Sequence, residues 1–200
     1  MTDRKIRIYC SGPLFNESER NEMGEIAAAL EAAGFETFLP HRDGLEFKPL
    51  VVNLMGKGLS MDEANVYWDR AIFALDAYQV TTGCDGAVVN LNGRVPDEGA
   101  VSEAAMAYAA GRKLMAYKDD VRSLVFGRDN AMVVGLFGFS VAGSTGLVVA
   151  GFREYFEKNQ PAGETAFAGD MAGTVELGRE IWKILTGSGD LDQVADLVLK

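Results

Sequence analysis

Short apolar runs and helical stripes alternate along this chain. Runs of strand length occupy residues 5–10 (Lys-Ile-Arg-Ile-Tyr-Cys), 35–39, 85–91 and 113–117. Between them, apolar residues recur three and four positions apart. Met23, Ile26, Ala27 and Leu30 share one face of a helix that ends at about Ala33, before Gly34. Asn16 followed by Glu19 resembles a capping box at its start. Ser60 with Glu63 opens a second helix, running to about Gln79, with Trp68, Ile72 and Leu75 inward. A third helix over 102–110 follows the third strand. Past the fourth strand, 130–136 reads as helical. Residues 145–157 read as a helix capped by Ser144, with Leu147, Val148, Phe152 and Tyr155 inward. A last helix covers 174–185, and 186–200 is a tail or short helix. Residues 40–59 carry no clear period and read as a long loop of the functional or mobile kind.

This alternation predicts an α/β fold: a flavodoxin- or Rossmann-like three-layer αβα sandwich with a mainly parallel sheet of about five strands. Residues 1–160 form the main domain, and 161–200 a helical extension packed on it. The chain has 200 residues, 48% hydrophobic and 24% charged, so one domain can bury a sizeable core. The net charge of −10 argues against a nucleic-acid polymer as partner, because phosphates demand basic patches. The charged start, Met-Thr-Asp-Arg-Lys-Ile-Arg-Ile, does not resemble a signal peptide. The most apolar region, 131–152, is broken by Gly135, Gly138, Gly143 and Gly146, so no run reaches the ~18 residues of a membrane span. Cys10 and Cys84 are too few for a disulfide framework and lack metal-site spacing. A reduced, cytoplasmic protein without membrane partner is the expectation.

Candidate chemistry gathers at the end of the third strand, in Asp97-Glu98-Gly99-Ala100-Val101-Ser102-Glu103. Asp97 and Glu103 flank the passage from a buried strand to a helix N-terminus. In open α/β sheets ligands bind at the carboxyl ends of strands. By spacing alone, Glu103 reads as a site carboxylate or a solvated helix residue, and Asp97 as a ligand or a helix cap. Ser11-Gly12-Pro13-Leu14-Phe15 closes the first strand, where Gly12 would let the backbone approach a ligand. Neither a dinucleotide fingerprint nor a Walker motif is present, so no nucleotide cofactor is implied.

In order, four segments resemble the nucleoside 2-deoxyribosyltransferase family. They are Ile8-Tyr9-Cys10-Ser11-Gly12-Pro13-Leu14-Phe15, then Phe38-Leu39-Pro40-His41-Arg42-Asp43-Gly44, the stretch from Asp97 through Gly99 to Glu103, and Asn130-Ala131-Met132. The resemblance covers roughly residues 5–136. It implies a cytoplasmic enzyme of nucleotide salvage that moves a 2-deoxyribosyl group from a 2′-deoxynucleoside to a free nucleobase, with no metal or cofactor. Glu103 would be the nucleophile, Asp76 would protonate the leaving base, and Tyr9 would orient Glu103. Asp97 would bind the sugar hydroxyls. Asn130, with Met132 beside it, would come from a neighbouring subunit to hold the 5′ end, which makes the protein a homo-oligomer. Gly12, Phe15 and Gly99 would line the substrate pocket; from position alone, His41 and Arg42 would join them to read the base edge.

Two alternatives stay open. A nucleoside or deoxynucleotide N-glycosidase would let water be the acceptor; Glu17 and Glu19 in the first loop disfavour a phosphate, while Ser11, Ser18 and Arg20 favour one. A nucleoside-binding domain without turnover would keep the pocket but has no use for a nucleophile. Phe15, Phe47 and Trp68 could stack on a base or simply serve the core.

Overall fold

The computed structural model describes residues 4–122 and 127–200; the first three residues of the charged start and residues 123–126 lie outside the described residues. Five parallel strands form one sheet: β1 (Arg7–Ser11), β2 (Glu36–Phe38), β3 (Gly86–Asn90), β4 (Lys113–Tyr117) and β5 (Val141–Ala142), in the order β2-β1-β3-β4-β5. The chain leaves β1 in one direction to make β2 and returns on its other side for β3. The order therefore reverses between β1 and β3, and a crevice opens at their carboxyl ends.

Strand alternation sorts the core into two layers. Ile8, Cys10 and Val88 face one side, against Met23, Ile26 and Leu30 of α1 (Glu17–Ala32) and Val148 and Phe152 of α7 (Thr145–Lys158). Tyr9, Ala87 and Val89 face the other, with Leu75 of α4 (Met61–Tyr78), Ala104 of α5 (Glu98–Ala109), Ile181 of α8 (Asp170–Thr186) and Val194 of α9 (Leu191–Val198). Each fully buried Leu, Ile or Phe contributes about 1.5–3 kcal/mol.

Both capping boxes form. Asn16 accepts from the Glu19 N–H and Ser60 from the Glu63 N–H, while each glutamate reaches back to its cap. All four residues expected inward on α1 are buried.

Several expectations need correction. Residues 40–59 are not a loop: they hold α2 (Pro40–Asp43) and α3 (Leu50–Gly56), with Leu45, Leu50 and Leu54 fully buried. Helices this short show too few turns for a period to emerge. α5 starts at Glu98 rather than Ser102, because Asp97 caps it. α4 runs on through a π-helical turn, Gln79–Gly83. Leu147 is 58% exposed rather than inward; the buried stripe of α7 is Val148 and Phe152, one position round. β5 lies in the glycine-rich region where no strand was expected, and α6 (Ala131–Gly135) precedes it.

α8 packs along α4, and Gly178 makes the crossing tight: a Cβ there would collide with the Ala74 carbonyl oxygen. No described helix is long and apolar enough to cross a membrane.

Candidate active site

β1 delivers two hydroxyls to the crevice from alternate positions. The Tyr9 ring stacks on Phe38, centroids 5.4 Å apart, and Ser11 is fully buried two residues on. Opposite them, α5 presents Ala100, Ala104 and Ala107 to the core. These small side chains let the helix lie close to the sheet, and Glu103, on the same side, drops onto β1. The Tyr9 hydroxyl donates to Glu103 Oε1 at 2.8 Å, and the Ser11 hydroxyl donates to Oε2. Both carboxylate oxygens are thus held, and the group cannot swing.

Burial pushes the Glu103 carboxyl up to about 7. The Ser11 and Tyr9 hydrogen bonds oppose that rise, while the charges of Glu46 and Asp97 add to it. Near neutrality Glu103 is therefore poised between its acid form and a poorly solvated carboxylate. Burial likewise holds the Tyr9 phenol far above its ordinary value, with the charges of Asp76 and Glu103 adding, so it acts as a donor.

Glu103 forms part of the wall of a cavity of about 640 Å³. Asp76, Asp97, Gly99, Gly12 and Phe15 line it too, as do Glu46, Phe47, Arg20 and Ile72. Asp97 Oδ2 accepts the Ala100 N–H at 2.7 Å, so it caps α5 while facing the cavity. Asp76 sits near the end of α4, 8% exposed, and its Oδ1 has no hydrogen-bond partner. Burial first, then the charges of Glu46 and Glu103, hold its carboxyl well above the usual range. It can therefore carry a proton at neutral pH. Phe15 is 81% exposed at the rim. Gly12 is required by packing: a Cβ there would lie 2.5 Å from Met23 Sδ and 2.8 Å from Asn90 Cβ.

Other expected residues lie elsewhere. Arg42 does not line the cavity; its guanidinium pairs with Glu31 and Asp43 on the outer edge of β2. His41 is not among the residues lining the cavity; it packs edge-on to Phe47, which is, with centroids 6.3 Å apart. Its Nδ1 is buried without a partner, and burial depresses its basicity. Asn130 caps α6 by accepting the Met132 N–H at 2.9 Å, and Met132 is 82% exposed. Asn130 lines a separate depression with Arg128, Val134, Phe139 and Val141.

Ser11 and Arg20, weighed in the sequence only as phosphate ligands, both belong here, and Glu46 was missed. Ser11 read as the start of a loop, but β1 extends to it, two residues from Tyr9. Arg20 donates to the Leu14 carbonyl at 2.9 Å and lies 5.4 Å from the Phe47 ring centroid, closing one side. Glu46 had no local signal. It arrives because α2 turns the chain inward and Gly44 leaves space, since a Cβ at Gly44 would collide with the Glu46 carboxylate. Among the described residues no cluster of His, Cys, Asp and Glu could hold a metal ion.

Comparison with known proteins bears on this geometry. A family model described as nucleoside 2-deoxyribosyltransferase matches residues 8–158, which includes every cavity-lining residue named above. A crystal structure of a conserved protein from Enterococcus faecalis V583 is similar in fold, with a TM-score of 0.55 at 18% identity. The match covers 76% of this chain and 99% of that one. No curated protein matches the sequence.

Proposed function

This chain belongs to the nucleoside 2-deoxyribosyltransferase family, and on that footing we propose that it moves a 2-deoxyribosyl group between nucleobases through a covalent glycosyl-Glu103 intermediate. The observation that carries this reading is the Glu103 carboxylate, held by Tyr9 and Ser11 at a cavity wall that also carries a buried, protonatable Asp76.

The donor would be a 2′-deoxynucleoside. A Glu103 oxygen attacks C1′ as the C1′–N bond breaks, and the bond's electron pair goes to the departing base. Asp76 gives that base its proton. A second base then attacks C1′ from the vacated face, loses its N–H proton to the Asp76 carboxylate and expels Glu103. Two inversions give net retention. Asp97 accepts from the sugar hydroxyls while it caps α5. No metal or cofactor enters these steps. Asn130 and Met132 would reach the 5′ end of a substrate bound by a neighbouring copy, which accounts for their distance from Glu103 within one chain.

A free nucleoside suits this cavity better than a nucleotide. Its wall carries Glu46, Asp76, Asp97, Glu98 and Glu103, and the one cation among the described lining residues, Arg20, is engaged by Leu14 and Phe47.

The test is incubation with 2′-deoxyinosine and adenine, then thymidine and adenine, with separation of products. New 2′-deoxyadenosine, absent with Glu103→Ala, is expected, and the productive donor gives the base class. Free sugar without new nucleoside would point to a hydrolase. Nucleoside bound but never turned over would point to a sensor.

A further inference from the structure

Glu46 and Asp76 stand together on the cavity wall, brought from distant parts of the chain. Glu46 follows α2, and Asp76 sits near the end of α4. Each has one buried oxygen without a donor, Glu46 Oε2 and Asp76 Oδ1. The two carboxyls are within hydrogen-bonding reach of each other. Two carboxylates cannot satisfy each other, since both only accept. A single proton between them satisfies both, and like charges so close cannot both ionise.

We propose that Glu46 is a positioning residue for leaving-base protonation: it accepts from the Asp76 carboxyl and so keeps the transferable proton on Asp76 until a nucleobase nitrogen takes it. This rests on the transferase reading above. When the C1′–N bond breaks, its electron pair goes to the base nitrogen and the Asp76 proton follows, leaving an Asp76 carboxylate beside Glu46. That pair of adjacent charges is unstable, so Asp76 readily takes back a proton from the incoming base. Glu46 thereby resets the acid for the second half of the exchange.

Other charged groups face this pair. Tyr9 comes from β1, Arg20 from α1, Lys48 from beside Glu46 itself, Asp97 from the cap of α5, and Glu98 and Glu103 from α5. Among the described residues, only Glu46 and Asp76 leave an oxygen at this wall without a donor, so the proton is assigned to them.

The test compares wild type with Glu46→Gln on two donors over pH 5–9. One is 2′-deoxyinosine, whose base must be protonated to leave. The other is 7-methyl-2′-deoxyinosine, whose cationic base leaves without a proton. Glutamine keeps the shape and removes the charge. With 2′-deoxyinosine the alkaline limb of kcat/KM is expected to fall by about one pH unit or more, with a loss of tenfold or greater at pH 8. With the methylated donor the loss is expected to be several-fold smaller, and this donor also reports that the variant is folded. The acid limb, set by Glu103, moves slightly down for both donors, because Glu46 contributes to holding Glu103 up. An alkaline limb unmoved by Glu46→Gln, or equal losses on both donors, would overturn the role of Glu46 alone. Wild type inactive on both donors would instead sink the transferase reading beneath it.

Discussion

Burial of the Glu103 carboxyl costs stability in a pH-dependent way. Its folded carboxyl sits at about 7 against an ordinary 4.5. The folded state therefore holds that proton more tightly than the unfolded one, and stability is lost as pH rises from 4.5 through 7. At ~1.4 kcal/mol per pH unit the loss above neutrality is on the order of 3 kcal/mol. Glu103→Gln should abolish transfer and melt higher than wild type at pH 8, with the gap closing towards pH 4.5; a variant that melts lower at pH 8 would show that the buried charge is better tolerated than this. Ser11 and Tyr9 work in the opposite direction, since their hydrogen bonds pull the carboxyl down. Ser11→Ala and Tyr9→Phe should each move the acid limb of the rate profile to higher pH. A lost hydrogen bond to a charged group costs about 1.5–3 kcal/mol, so kcat/KM at pH 6 should drop ten- to hundredfold. Tyr9 and Glu103 were readable from the sequence through motif resemblance; Ser11 read as the start of a loop, but β1 extends to it, and alternation puts it on the face of Tyr9. Glu46 was not, since no local pattern ties it to Asp76.

Among the elements, α5 illustrates how one residue serves two ends. Asp97 caps the helix through the Ala100 N–H and also faces the cavity. Asp97→Ala should cost about 0.5–2 kcal/mol in thermal stability from the lost cap. Asp97→Asn should keep most of that stability, since asparagine caps as well, yet raise KM for the nucleoside if the carboxylate holds sugar hydroxyls. Comparing melting and kinetics of the pair separates the roles. The α4–α8 crossing depends on Gly178, where a Cβ would meet the Ala74 carbonyl oxygen and lie 2.7 Å from Tyr78 Cβ. Gly178→Ala should destabilise by about 1–3 kcal/mol through overpacking, read by denaturant midpoint. The long helices were legible because caps and periodic faces repeat over several turns. α2, α3 and β5 were not, because so few residues cannot display a period.

At the scale of the whole molecule, apolar residues stay uncovered around the Asn130 depression. Phe139, in its wall, is 74% exposed, and Met132, two residues from Asn130, is 82% exposed. Large apolar patches are rarely left to water, and we propose a second copy of this chain as the occupant, with Asn130 completing its site. Glu103→Ala and Asn130→Ala, each inactive alone, should regain roughly a quarter of wild-type activity when mixed one to one, because half of the mixed dimers' sites would be intact. No recovery, with oligomers demonstrably exchanging, would place Asn130 outside its neighbour's site. The C-terminal helices matter in the same global sense. Ile181, Val194, Ala195 and Val198 join the cluster that holds Tyr9 and Phe38, and Trp182 packs edge-on to Phe38 with centroids 5.4 Å apart. Removing residues 161–200 should therefore unfold or aggregate the remainder rather than release a working domain.

By itself the sequence determined the alternation of the longer strands and helices, the parallel sheet, and the capped starts of α1, α4 and α7, while the start of α5 was read four residues late. These follow from local propensities and periodic burial, which a short window of residues contains. Only the tertiary structure decided that α5 brings Glu103 onto Tyr9 and Ser11, that Arg42 lies off the cavity, and that Glu46 meets Asp76. Those outcomes depend on how separately formed elements pack, and on which side chains that packing deprives of water. Burial is a property of the assembled layers, so a carboxyl that the sequence leaves as either a site group or a solvated helix residue is raised by that burial to about 7.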